Sequence, residues 1–230
     1  MGISAAVTAI GNVYMNRGEY EKANEHYKRS QDINEPLGNL NGVSTALNNM
    51  GNVSIRLGRY DEGLATLGRA ADICESLGDQ SGFATALGNI GSVHDLRGNY
   101  DTALQFLLKS LAIWESINDR WGLVVGLTDV GEAYRKLQRL ADARESLVRA
   151  HALATETQLK EVAAMSLCEL GLLCEAEAAQ AEGDAKGAKM NDAREQLETG
   201  VAILIEMNNV QKDKYETELE RVKKSLTSEV

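Results

Sequence analysis

The sequence predicts an all-α fold, an α-solenoid of five helix-turn-helix repeats followed by a C-terminal helix. Three observations predict it. Gly11, Gly51, Gly91, Gly131 and Gly171 recur at an interval of 40 residues, inside the matching frames AIGNVYMNRGEY, NMGNVSIRLGRY, NIGSVHDLRGNY, DVGEAYRKLQRL and ELGLLCEAEAAQ. Such self-similarity marks stacked supersecondary units. Each period holds two runs of apolar residues at helical spacing, separated by a short break. Pro36 is the one proline, which leaves little room for long irregular loops.

The first helix of each copy, termed A, places Val7, Leu47, Leu87, Leu127 and Leu167 at one apolar position. Ile10, Met50, Ile90, Val130 and Leu170 hold the next. Gly18, Gly58 and Gly98 then supply a left-handed residue to end helix A. The second helix, B, starts at Tyr20, Tyr60, Tyr100 or Leu140. It carries a small residue (Ala23, Gly63, Ala103, Ala143), then Tyr27, Leu67, Leu107 or Leu147 one turn later. It ends near Gly38, Gly78, Asn118 or Gln158. The glycine inside helix A costs about 1 kcal/mol relative to Ala. Close approach of helix B over a residue without a Cβ offsets that cost.

The repeats divide at approximately 1–40, 41–80, 81–120, 121–160 and 161–208. In the fifth, DAREQL at 192–197 matches ADARESL at 141–147 only if ten residues are inserted within 178–189. The inserted stretch, small, charged and glycine-containing, predicts a longer helix A and then a flexible loop. Residues 209–230 form a charged helix with Tyr215, Leu219, Val222 and Leu226 on one stripe, either a cap on the last repeat or the start of a coiled coil. Nothing precedes the first A helix to cover its apolar side. That predicts a missing piece of a longer array, a partner, or a second copy against this end.

A net charge of −10 argues against general nucleic-acid or anionic-membrane binding, which needs clustered Lys and Arg. No apolar run reaches a membrane span and no signal-peptide pattern opens the chain, so it is read as cytoplasmic. Cys74, Cys168 and Cys174 lack metal-ligand spacing and read as small buried thiols. His26, His94 and His151 fall on separate helices, and Trp114 and Trp121 read as inter-repeat packing. The Asn52-Val53-Ser54 sequon lies mid-helix and the terminal Ser228-Glu229-Val230 is a weak PDZ-like match, so both are discounted. No nucleotide, metalloprotease or hydrolase motif is present. The reading is of a chain that is not an enzyme, with no catalytic or metal residues and no cofactor.

The repeated frame resembles the tetratricopeptide repeat family, in particular its 40-residue subclass, similar to repeat regions of spindle-orientation adaptors, kinesin light chains and bacterial regulators. The resemblance implies a right-handed superhelix whose concave groove is lined by A helices. Carried over with Gly51 at the family's eighth position, the groove residues are Asn12, Thr45, Asn48, Asn49, Asn52, Arg56, Asn89, Ser92, Asp129, Glu132, Arg135 and Glu169. A carboxamide both donates and accepts, so rows of Asn suit an extended backbone whatever its side chains. The family's carboxylate clamp is not matched: Thr8, Asn12, Asn49, Thr85 and Asn89 fill its slots in repeats one to three, and Asn48, Asn52, Asn89, Val125 and Asp129 in repeats two to four, without the cations. The resemblance thus implies a non-catalytic protein–protein interaction scaffold whose groove takes an extended peptide or a partner helix. Two alternatives stand beside it. One is a regulatory or sensor region of a larger signalling protein, such as a cyclase, kinase or transcription regulator. The other is a module that self-associates as a homo-oligomer through its uncovered ends.

Overall fold

The computed structural model describes residues 2–209 and 211–228. Among these there are eleven α-helices and no strand. They are α1 (Ile3–Asn16), α2 (Tyr20–Asn34), α3 (Leu40–Arg56), α4 (Tyr60–Leu77), α5 (Gln80–Leu96), α6 (Tyr100–Ser116), α7 (Arg120–Lys136), α8 (Leu140–Glu156), α9 (Lys160–Ala178), α10 (Gly183–Glu206) and α11 (Lys212–Ser228). They form two compact units, one up to Ile117 with α1–α6 and one from Asn118 with α7–α11.

Local sequence explains the helix boundaries. Asn39, Asp79 and Asp119 each accept a hydrogen bond from the backbone N–H of Gly42, Gly82 or Gly122 at 3.3, 3.0 and 2.7 Å, capping α3, α5 and α7. Left-handed residues close the helices. Gly18, Gly58 and Gly98 do so after the A helices at φ 73°, 71° and 77°. In later turns Asn118, Gln138, Gln158 and Asn208 take the same conformation without glycine's freedom.

The recurrent glycine is a packing position. A Cβ on Gly51 would fall 2.5 Å from Leu67, and one on Gly131 would fall 2.5 Å from Leu147. Gly11 faces Tyr27 in the same way, Gly91 faces Leu107 and Gly171 faces Leu197. Each contact joins helix A to the large apolar residue of its own helix B. Around these contacts lie cores such as Ala23, Tyr27 and Val53 in the first unit, and Leu140, Ala143, Leu147, Leu170 and Leu173 in the second.

Three expectations are corrected. The inserted residues are not a long flexible loop: after a short turn, residues 183–189 begin α10, which reaches 24 residues. Glu177 of α9 pins this extension by pairing with Lys189 at 2.5 Å and with Arg144 of α8 at 2.6 Å. Trp114 is buried, but Trp121 is 56% exposed, at a position that Asn41 and Ser81 also expose in earlier repeats. Glu169 does not line an open surface. It is fully buried beneath α11. The discounted terminal match extends into Glu229 and Val230, which lie outside the described residues.

Helix α11 lays Tyr215, Leu219 and Val222 into a core with Ala164, Cys168 and Leu172 of α9 and Leu197, Val201 and Leu204 of α10. No helix among the described residues is long and apolar enough to cross a membrane.

Candidate functional site

In the first unit, α1, α3 and α5 are the A helices, and the asparagines sit on one face of each. On α3, Thr45, Asn49, Asn52 and Arg56 step by four, three and four residues, a single stripe distinct from the buried Val43, Leu47 and Val53. Thr45 and Arg56 are exposed, and Asn49, Asn52 and Asn89 are half-buried. No hydrogen bond to another described residue occupies the side chains of those three asparagines.

The neighbouring polar residues are partly engaged. Asn12 is exposed and accepts a 2.8 Å hydrogen bond from the Tyr27 hydroxyl, which leaves its Nδ2 donors free. Burial pushes the Tyr27 phenol up to about 12, so it remains a donor. Asn48 is only 8% exposed. Its Nδ2 reaches the Gly82 carbonyl of α5 at 3.4 Å, and its Oδ1 is buried with no partner. Thr45 and Ser92 donate back to their own helices, to the Asn41 and Gly88 carbonyls at 2.8 and 3.1 Å. The structure thus brings Thr45, Asn48, Asn49, Asn52 and Arg56 together on α3, beside Asn89 and Ser92 on α5.

The second unit differs. Asp129, Glu132 and Arg135 are half-buried, and Glu132 meets Lys136 and Lys214 of the same chain. Arg135 reaches Glu169 at 3.0 Å. Lys214 of α11 reaches Glu132 at 3.2 Å and Glu169 at 3.1 Å, and the Tyr215 hydroxyl donates to Glu169 at 3.0 Å. Arg221 grips Glu175 with both terminal nitrogens, Nη2 at 2.6 Å. Burial alone would raise the Glu132 carboxyl, but Lys214 and Lys136 outweigh it and hold the group down at about 2. The resemblance placed Glu132 and Glu169 on an open groove, where only basic residues of a partner would answer their charge. It missed that α11 brings such residues itself.

The remaining candidates are packing residues. His26 stacks on Tyr14 and His94 on Phe106, with ring centroids 5.2 and 5.5 Å apart. Burial raises all three thiols, Cys168 to about 12, which leaves them protonated and poorly nucleophilic. No cluster of His, Cys, Asp and Glu that could hold a metal ion occurs among the described residues.

Comparison with known proteins places this architecture. Tetratricopeptide repeat models match residues 5–36 and 42–116. No curated protein matches the chain. Among solved structures, the apo form of RapI is similar with a TM-score of 0.70 at 16% identity, over 98% of this chain and 84% of that one. A Rap protein complexed with Competence and Sporulation Factor gives 0.71 at 15% identity, over 99% of this chain and 65% of that one. Nearly identical TPR-like repeats of a Podosopora anserina kinesin light chain give 0.63 at 16% identity, over 90% and 99%. At these identities the likeness is one of fold. Repeat period, glycine-seated helix pairs and the two model matches agree that residues 5–36 and 42–116 carry tetratricopeptide repeats.

Proposed function

We propose that the chain is a non-catalytic protein-interaction scaffold and that the A-helix face of its first unit holds an extended peptide or a partner's helix. The observation that carries this reading is the set of amides on Asn49, Asn52 and Asn89, half-buried, on the asparagine-bearing faces of α3 and α5, and unused among the described residues. Asn ranks low as a helix former, so concentrating it on these faces has a cost that a ligand's backbone groups would offset. Asn12 adds free donors, and Arg56 adds positive charge at one end of the α3 stripe. The Rap protein solved in complex with Competence and Sporulation Factor supports a fold of this kind receiving a bound factor. The partner class is protein or peptide, not nucleic acid.

A peptide-display selection against the immobilised chain tests the reading. Enriched peptides should bind wild type and lose about tenfold or more affinity for N49A/N52A/N89A, since a buried peptide group left unpaired costs about 1–3 kcal/mol. Failure to enrich any peptide, or equal binding to the triple variant, would contradict it.

A further inference from the structure

Within each unit an A helix is seated on the helix B that precedes it, and α1 has the seat without an occupant among the described residues. Met50 and Val53 of α3 pack with Ala23 and Tyr27 of α2. Ile90 and Val93 of α5 pack with Leu67 of α4. Leu170 and Leu173 of α9 pack with Leu140, Ala143 and Leu147 of α8. The same two positions of α1 are Ile10 and Val13, and they are 45% and 49% exposed. Ile3, Ala6 and Ala9 are exposed on the same face of the helix.

Shape and charge say what covers this face. Each helix B that fills such a seat carries a small residue four before a large apolar one, as in Ala23 and Tyr27, Gly63 and Leu67, or Ala143 and Leu147. On α1, Ala6 and Ile10 repeat that spacing, and so do Ala9 and Val13. The open face is thus both a seat and the kind of helix that fills one, which is the self-complementarity that a two-fold interface requires. Among the eleven described helices, α1 alone has no Asp, Glu, Lys or Arg. A chain of net charge −10 repels its own copies over most of its surface, and α1 is where two copies meet without that repulsion. Even at the position where α3 and α5 carry Asn49 and Asn89, α1 has Ala9. The last helix B offers no place for α1 of another copy, because Leu197, Val201 and Leu204 of α10 are already packed with α11.

We infer that α1 is a homodimer contact. The faces bearing Ile3, Ala6, Ala9, Ile10 and Val13 of two copies pack about a two-fold axis, each α1 taking the place that a helix B takes on the other A helices. Such a contact is closed, so it yields dimers and not filaments. One helix on each side buries less than a standard interface, so the dimer should be weak, in the micromolar range. The inference goes beyond the peptide reading and does not rest on it.

Sedimentation equilibrium of the full chain tests it. Mass should rise from 25.0 kDa towards twice that value as protein concentration climbs through the micromolar range. Ile10→Glu combined with Val13→Glu sets like charges against one another and should hold the chain at 25.0 kDa throughout. Ala9→Asn installs the residue that α3 and α5 already accommodate, so the fold tolerates it. It buries an unpaired amide in the contact and should weaken the dimer about tenfold. A wild-type chain that stays monomeric would overturn the inference and leave the face to another protein's helix. Association that these variants do not change would also overturn it, as would growth beyond dimers.

Discussion

At the scale of single residues, glycines in this chain fall into opposite classes that only contact distances separate. Gly91 lies under Leu107, and a Cβ there would meet Leu107 Cγ at 2.8 Å and the Ala103 backbone carbonyl at 3.2 Å. The carbonyl cannot retreat without moving α6. Gly91→Leu should therefore cost about 1–3 kcal/mol or more through overpacking. Gly63 is different. Its added Cβ would touch Ser54 Cβ at 3.5 Å and the Gly51 carbonyl at 3.6 Å, ordinary contacts. Other repeats carry Ala23, Ala103 and Ala143 there, so Gly63→Ala should stabilise by about 0.5–1 kcal/mol. Denaturant titration of both variants checks the pair, and equal effects would show that the contact account is wrong.

At the scale of elements, α11 is held by charge as well as by its apolar stripe, and this gives its docking a pH dependence. Glu132 is depressed to about 2 in the folded chain from an ordinary value of 4.5. A depressed carboxylate contributes stability that is fully present above the unfolded value and lost as pH falls through the folded one. The stability gap between wild type and Glu132→Gln should thus be full at pH 7 and close between about 4.5 and 2. A gap unchanged at pH 2 would mean that Lys214 and Lys136 do not act through the carboxylate. Elements were also where sequence reading was most uneven. The apolar stripe of α11 was legible because Tyr215, Leu219, Val222 and Leu226 keep helical spacing. Its target was not legible, because Glu132 and Glu169 lie 82 and 45 residues from Lys214. The extension of α10 was missed for a different reason. Gly183 and Gly187 signal a loop, yet an added Cβ on either would meet nothing within 4 Å, so these glycines serve no tight contact. The helix is pinned instead by the pairing of Lys189 with Glu177.

At the scale of the whole molecule, the repeat architecture was the most legible feature. The demand for close A–B contact writes one glycine into every copy, and Gly18, Gly58 and Gly98 mark the turns. The candidate site was legible by position but not by environment. The family resemblance placed Asn48 and Glu169 on the groove face, yet it could not show that Asn48 is buried against Gly82 or that Glu169 is covered. The central functional claim concerns the asparagines that remain open, and it can be separated from stability. Replacing Asn49, Asn52 and Asn89 with Ala should leave unfolding free energy unchanged or slightly raised, because Ala is the better helix former and no bond within the described chain is lost. The most direct measurement is an NMR titration of the labelled chain with a display-selected peptide, following side-chain amide resonances. The account predicts that the Asn49, Asn52 and Asn89 carboxamides shift together and saturate at one peptide per chain. Shifts confined to the B helices or to α11, with those three carboxamides unmoved, would contradict it.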